Sequence, residues 1–265
     1  SYLGYPGTLG ADFIDYIVGD GVVTPPGSEP YYAEKIVRLG SAYQANRGYA
    51  RPTTSAPDRA AHGLPEHGVV YGCFNSGYKI TPPMFDRWMA ILGQVEGSVL
   101  WLLLNHPSAR ANLRREAQAR GIEPDRLVFA VNLPFEAHLD RLRLADLFLD
   151  TFPYNAHTTA SDALRMGLPL LTCPGQSFAS RVGASLLTAA GLPEMIADSF
   201  DDYERLAVDL GNNPGRLRAL RAKLSAKLPA CALFDAATFT RNLEAAYAAM
   251  HARRRAGLPP IRIDV

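Results

Sequence analysis

The chain has 265 residues, of which 48% are hydrophobic and 20% charged, enough for one large domain or two small ones with an ample core. Lys plus Arg number 27 against 26 Asp plus Glu, a balance that leaves no electrostatic footprint for nucleic acid or an anionic membrane. Any phosphate site must therefore be local, and no leader or membrane-spanning apolar run is expected.

The first residue is Ser rather than an initiator Met, so the chain is expected to begin inside a larger protein. Residues 1 to 10 carry Gly4, Pro6, Gly7 and Gly10 around Tyr5 and Thr8, a glycine-rich turn whose backbone suits close approach to a ligand. Helical spacing of Phe13, Ile14, Ile17 and Val18 predicts a helix over Ala11 to Val18. A second helical piece is expected over Tyr31 to Leu39. Residues 40 to 67, centred on Arg51 to Pro57, read as an irregular surface connector.

From Val69 the pattern becomes an alternation of strands and helices. Strands are expected over Val69 to Asn75, Ser98 to Leu104, Arg126 to Val131, Leu147 to Leu149 and Leu168 to Cys173, apolar at nearly every position as parallel strands covered on both faces should be. Helices are expected over Pro82 to Gln94, Ala109 to Arg120, Phe135 to Leu142, from near Thr158, and over Ser180 to Ala190, with a short edge strand at Pro193 to Ala197. Helices over Asp201 to Leu210, Pro214 to Lys227 and Ala236 to Arg253 close the chain. The fold class is α/β, a doubly wound parallel sheet with carboxyl-terminal helices. Cys73, Cys173 and Cys231 are far apart and lack metal-ligand spacing, which predicts free thiols in a reducing, cytoplasmic setting and no structural metal.

Ligands in doubly wound folds sit outside the carboxyl ends of the strands. The residues just past each strand are Asn75 to Lys79, then Asn105 and His106, then Asn132, Leu133 and the helix carrying His138 and Arg141, then Tyr154 to Thr159. The unit from 145 to 175 leads a strand into a helix start at His157, Thr158 and Thr159, where unpaired backbone N–H groups favour an anion such as a diphosphate. Lys79 is either a solvated lysine or a point charge on that phosphate, and its place on the rim favours the second role. Tyr78 is equally a packing aromatic or a proton-transfer group. His138 and Arg141 lie three apart on one helix face, suited to stacking on a nucleobase. Asp162 is placed to accept from a ribose or simply to complement the helix dipole. No Gly-x-Ser-x-Gly elbow and no Gly-x-Gly-x-x-Gly fingerprint follows a strand, against a hydrolase and a dehydrogenase.

These pieces resemble the nucleocytoplasmic protein O-GlcNAc transferases and their O-fucosyltransferase relatives. The resemblance rests on Leu3-Gly4-Tyr5-Pro6-Gly7-Thr8, Phe74-Asn75 with Tyr78-Lys79-Ile80, Ser98 to Leu103, Leu149-Asp150-Thr151 with His157-Thr158-Thr159-Ala160-Ser161-Asp162, and Pro174-Gly175 with Ala179-Ser180-Arg181-Val182. It implies the nucleotide-binding, Rossmann-like lobe of a metal-independent GT-B glycosyltransferase over residues 68–265. Residues 1–67 would be the tail of the other catalytic lobe plus a connector. It implies UDP-GlcNAc as donor substrate with no cofactor, a protein or peptide acceptor, and a missing amino-terminal lobe that carries the family's catalytic histidine. Helical repeats often precede that lobe. By the same resemblance Lys79 assists the leaving diphosphate and Tyr78 has a proposed part in proton transfer. His157, Thr158 and Thr159 meet phosphates and sugar, Asp162 meets the ribose, His138 and Arg141 meet the uracil, and Leu3, Gly4 and Tyr154 lie near the sugar. Ser76 stands where animal members have a glutamine and Phe135 where they have a lysine, which leaves room for a GDP-fucose donor. A non-catalytic nucleotide-sugar module is the other alternative, and its cue, a broken rim, is not met because Lys79, His138, His157 and Asp162 are all present. The Tyr-Lys pair and His-Thr-Thr-x-x-Asp match the GlcNAc-transferring branch.

Overall fold

The structure, a computed structural model, describes residues 1–49 and 58–265. It contains two parallel sheets. The larger has five strands, β3 (Val70–Cys73), β4 (Val99–Leu103), β5 (Leu127–Ala130), β6 (Leu147–Leu149) and β7 (Leu170–Leu171), in the order β5-β4-β3-β6-β7. From β3 the chain winds outward through β4 to β5, then returns to the other side of β3 for β6 and β7. The strand order therefore reverses between β3 and β6, and crevices at such reversals are where doubly wound sheets bind ligands.

Helices α1 (Pro82–Gln94), α2 (Pro107–Ala119), α3 (Phe135–Leu142), α4 (Thr158–Arg165) and α5 (Val182–Ala190) connect or flank these strands. Proline opens α1 and α2, where its missing N–H costs no helical bond. Trp88, Ile91 and Leu92 of α1 are buried with Leu100, Trp101 and Leu102 of β4, so the alternating apolar segments fold as the sequence pattern predicts. The helices α6 (Phe200–Asn212), α7 (Pro214–Lys227) and α8 (Ala236–Arg255) complete the helical set. The segment expected as an edge strand at 193–197 is instead a 3₁₀ turn, Pro193–Met195, followed by a single parallel bridge from Ile196 to Thr172. Pro193 lacks the N–H that a longer ladder would need.

The early chain departs from expectation. Both predicted helices are replaced by strands, β1 (Tyr16–Asp20) and β2 (Lys35–Leu39), paired in parallel with Ile17 opposite Ile36 and Val18 opposite Val37. A β-branched, buried run satisfies a sheet as well as it fits a helical face, and two local contacts decide the matter. Gly19 lies so close to Thr24 that a Cβ would sit 2.8 Å from Thr24 Oγ1. Asp20 Oδ1 accepts from the N–H groups of Val22 and Val23 at 2.8 and 2.9 Å, ending the strand in a tight turn. A third strand, β8 (Ile263–Asp264), joins β2 from the far end of the chain, and Ala246 of α8 is buried against Val18, Val37 and Leu39.

The connector expected at the surface is partly core. Ala42, Tyr43 and Leu64 are buried, and Arg59 donates to Asp146 at 2.7 Å beside β6; its predicted centre, 51–57, lies outside the described residues. The two sheets are tied by Asp20, whose Oδ2 accepts from Tyr43 N at 2.8 Å and from Ser185 Oγ of α5 at 2.6 Å. Gln44 Nε2 adds a bond to Ser161 Oγ of α4 at 3.0 Å. These ties hold residues 1–49 against the carboxyl edge of the larger sheet.

Candidate active site

Strands β3 and β6 are neighbours, with Tyr71 opposite Leu147 and Gly72 opposite Phe148. Their carboxyl ends bring residues 74–79 alongside 150–159 at the point of strand-order reversal. Lys79 closes a 3₁₀ turn, Gly77–Lys79, and its Nζ donates to Asn155 O at 2.8 Å while lying 4.0 Å from the centre of the Tyr154 ring. Burial lowers the Lys79 pKa, and the nearby Asp150 carboxylate opposes that drop. The ammonium is thus pinned by one carbonyl and one aromatic face at the mouth of the crevice. Tyr154 in turn stacks on His157, ring centres 4.9 Å apart and planes 23° from parallel.

The loop between β6 and α4 is braced from beneath by Asp150, which is 1% exposed. Its Oδ1 accepts from Thr151 N at 2.8 Å and Ala156 N at 2.6 Å, and its Oδ2 accepts from Thr172 Oγ1 at 2.6 Å. Burial pushes this carboxyl up to about 6 against the pull of those bonds and of Lys79. Close packing enforces the arrangement: a Cβ on Gly183 of α5 would lie 2.5 Å from Asp150 Oδ2. Asn155 is pinned as well, through Nδ2 to Thr151 O at 2.8 Å.

Asn75, 3% exposed, links both loops. Its Nδ2 donates to Thr151 Oγ1 at 2.8 Å, Thr151 Oγ1 donates to Tyr154 O at 2.7 Å, and Thr159 Oγ1 donates to Asn75 Oδ1 at 2.5 Å. The Thr159 hydroxyl proton is therefore turned inward. What faces the crevice at the start of α4 is backbone: the N–H groups of Thr158 and Thr159 have no acceptor among the described residues. With the helix dipole behind them, they make an anion-binding corner, and Lys79 supplies the point charge on the adjacent loop.

The crevice continues into a cleft of about 540 Å³ lined by His157, Thr158 and Asp162 on one side, Phe135 and Leu139 of α3 on another, and Leu3 with Tyr43 to Arg47 on a third. Burial raises the Asp162 pKa, with Arg165 and Arg47 opposing it. Beside this cleft a chamber of about 80 Å³ is lined by Leu3, Gly4, Tyr154 and His157 among others. Leu3, which lines both spaces, holds a left-handed backbone, φ +57°, a strained conformation for a branched residue. Leu133 is half-buried in the loop before α3, Phe135 is 54% exposed at the cleft wall, and Ser76 is exposed with its carbonyl accepting from Lys79 N.

Two of the sequence-derived candidates sit differently from expectation. Tyr78 is 78% exposed on the outer rim, and it reaches Tyr154 only as an electrostatic neighbour. Arg141 shares a face with His138 as its spacing requires, but it is 1% exposed and so offers no face to a base. Its guanidinium lies 5.4 Å from the Phe74 ring centre, donates to Val131 O at 2.5 Å and holds His138 Nδ1 at 3.0 Å from Nε. A guanidinium has no acceptor, so His138 Nδ1 must accept and its proton resides on Nε2. Arg141 thereby fixes the tautomer, and burial with that positive neighbour holds His138 down to about 4. His157 is likewise held down to about 4, by burial and then by Lys79.

Both histidines are therefore neutral near pH 7, and their effect on stability has a definite sign. Each binds a proton more readily when unfolded, so the stability they contribute is present above about 6.5 and is lost as pH falls toward about 4. Thermal melting of the His138→Gln, His157→Gln double variant should therefore show a shallower loss of Tm between pH 6.5 and 4 than the parent. An identical slope would mean that neither ring is buried neutral.

Sequence reasoning placed Asn75 on the rim but gave neither it nor Asp150 a role, and it did not single out Tyr43 to Arg47, because their roles depend on which strands pair and on the return of the early chain to the cleft. The Asp in Leu-Asp-Thr directly after a buried strand was the available signal. Among the described residues no group of three or more His, Cys, Asp or Glu side chains is arranged to hold a metal.

Comparison with known proteins follows the same lines. A family model described as Glycosyl transferase family 41 matches residues 44–243. A probable UDP-N-acetylglucosamine–peptide N-acetylglucosaminyltransferase of Arabidopsis thaliana is 39% identical over the whole of this chain and 28% of its own length. A mutant O-GlcNAc transferase of Thermobaculum terrenum superposes with a TM-score of 0.85 at 34% identity, covering 94% of this chain and 47% of that one. A lipopolysaccharide glycosyltransferase, WaaG, shares the fold with a TM-score of 0.60 at 15% identity, over 86% of this chain and 61% of its own. The chain thus spans less than half the length of its sequence relatives, and it has the parallel-sheet architecture of GT-B glycosyltransferases. With the family model covering most of its length, this chain belongs to glycosyl transferase family 41.

Proposed function

We propose that this chain is the donor-binding part of an inverting glycosyltransferase that moves GlcNAc from UDP-GlcNAc to serine or threonine hydroxyls of proteins, together with a lobe outside the chain. The observation that carries the reading is the convergence, at the β3–β6 reversal, of the Lys79 ammonium with the unpaired N–H groups of Thr158 and Thr159. In the transfer, a bond forms from the acceptor oxygen to the sugar's anomeric carbon as the bond from that carbon to the diphosphate breaks. The electron pair leaves with UDP, and the hydroxyl proton passes to a base or to solvent. Charge grows on the leaving oxygen, where preorganised donors stabilise it most. Lys79 and the α4 amino end are those donors in this reading. The small chamber beside Leu3, Gly4, Tyr154 and His157 takes the sugar, and the cleft bounded by Phe135 and Asp162 takes the nucleoside.

His138, with its proton on Nε2, offers a donor for a base carbonyl, and Arg141 acts through it. Asp162 is the acceptor for ribose hydroxyls. Residues 1–67 form part of the first catalytic lobe and the donor lobe begins near 68, with α8 and β8 crossing back to the first sheet. Three free cysteines, two of them buried, suit the reducing cytoplasm. The names of the relatives favour UDP-GlcNAc over GDP-fucose. Calorimetric titration of the complete enzyme with both donors should give saturable binding of UDP-GlcNAc and at least tenfold weaker binding of GDP-fucose, about 1.4 kcal/mol. Preference for the guanine nucleotide would sink the assignment.

A further inference from the structure

The nucleoside cleft and the sugar chamber are two parts of a longer trench. The chamber shares Leu3, Tyr43 and His157 with the nucleoside cleft, and it shares Tyr5, Pro6 and Phe178 with a third recess on its far side. That third recess is the largest of these three spaces, about 680 Å³ against 540 and 80 Å³. It lies between the glycine-rich turn, the loop around Pro25 to Tyr32, and residues 176–181. The donor as assigned above fills the first two spaces, so whatever attacks the sugar from beyond the chamber comes through the third.

The lining of this recess has a definite chemistry. Tyr31 is 79% exposed and Tyr5 57% exposed, and Pro25, Pro26 and Tyr32 add apolar and amphipathic surface. Tyr154 lies over Lys79 and lines the chamber, Tyr5 lines both chamber and recess, and Tyr31 lines the recess, so tyrosines run from the rim at Lys79 past the chamber to Tyr31. Tyrosine offers large contact area at small entropic cost and hydrogen-bonds at its tip, which suits a peptide backbone. Arg181 is the one charged residue of the lining. Its Nε donates to Gly175 O at 2.9 Å, which anchors the guanidinium while its terminal nitrogens have no partner among the described residues. A held guanidinium with open N–H groups matches a carboxylate.

We propose that this third recess seats an extended stretch of the acceptor polypeptide next to the reacting hydroxyl, with an acidic side chain of that stretch on Arg181. The proposal rests on the transferase reading above and adds the acceptor subsite to it. The continuity of the recess with the chamber is what assigns it to the acceptor.

The test uses the complete enzyme and a fluorescein-labelled peptide with one serine and a glutamate scanned along its flank, beside the same set with glutamine. Anisotropy in the presence of UDP reads binding without requiring turnover. For the parent enzyme the tightest glutamate peptide should bind better than its glutamine twin. Tyr31→Ala should weaken binding about tenfold, the size expected of an aromatic hot spot, and Arg181→Gln should abolish the glutamate preference. Both variants should leave UDP affinity and acceptor-free donor hydrolysis unchanged. Because Tyr31 is so exposed its loss should spare the fold, and Arg181→Gln carries the test independently if it does not. Peptide binding that is unchanged in both variants overturns the proposal, as does a parent enzyme that binds none of the peptides. Binding that depends on Tyr31 and Arg181 in an enzyme that transfers no GlcNAc would keep the recess and sink the transferase reading. Transfer that ignores both substitutions would do the reverse.

Discussion

Replacing Lys79 with alanine in the complete enzyme should lower kcat by about 10²–10³-fold, the effect of removing one preorganised charge-stabilising donor, about 2.7–4 kcal/mol. The expectation follows from where the ammonium is held. Asn155 O and the Tyr154 ring take up part of its hydration shell, and burial already disfavours its charge. Such a cation is better satisfied when negative charge develops beside it, so its contribution is larger in the transition state than with bound substrate. The KM for the donor should therefore move much less than kcat. Lys79→Arg should not rescue activity, because a planar fork cannot occupy a spot shaped by one carbonyl and one aromatic face around a compact ammonium. Near-parental turnover of radiolabelled donor by either variant, with an unchanged Tm, would remove Lys79 from the chemistry.

Much of the larger sheet could be read directly from the residues, and the reasons are local. Helices α1, α3 and α7 begin and end where the sequence pattern places them, because the apolar spacing and turn residues that bound each one lie within a few consecutive residues. Sheet one was misread because its pairings are not local. Phe13, Ile14, Ile17 and Val18 fit a helical face, yet Ile17 and Val18 are claimed by Ile36 and Val37, and two-residue β8 has no periodicity to read. The site divides in the same way. His157, Thr158 and Thr159 follow a buried strand and start a helix, a signature carried by a few consecutive residues. Arg141 looked equivalent to His138 because spacing reports a shared face and not depth, and the Phe74 ring and Val131 carbonyl that bury it lie on other elements. The chain of donors through Asn75 is invisible without knowing that β3 and β6 are neighbours.

The substitution Asp150→Asn should move the basic limb of the kcat profile to lower pH while leaving the loop in place. Asp150 is the buried negative charge nearest Lys79 in effect: burial lowers the lysine and Asp150 is the first group raising it. Removing that charge takes away the main opposition to desolvation, so Lys79 loses its proton at lower pH and activity fails earlier as pH rises. The asparagine side-chain oxygen still accepts from Thr151 N and Ala156 N, and the Thr172 hydroxyl can turn to accept from the new amide. The stability change has its own sign. A carboxyl held at about 6 in the fold and near 3.9 when unfolded favours folding below the lower value and loses that favour as pH rises through the higher one. Ionised Asp150 costs the folded state on the order of 3 kcal/mol above about pH 6, a cost the asparagine variant escapes. Asp150→Ala must behave oppositely, because Thr151 N and Ala156 N would be left unpaired in the interior at about 1–3 kcal/mol each. A melting series at pH 8 should therefore order the proteins with Asp150→Ala least stable and Asp150→Asn at or above the parent. If the asparagine variant keeps the parental basic limb, Asp150 is a brace for the loop alone, and the lysine keeps its proton without help from beneath.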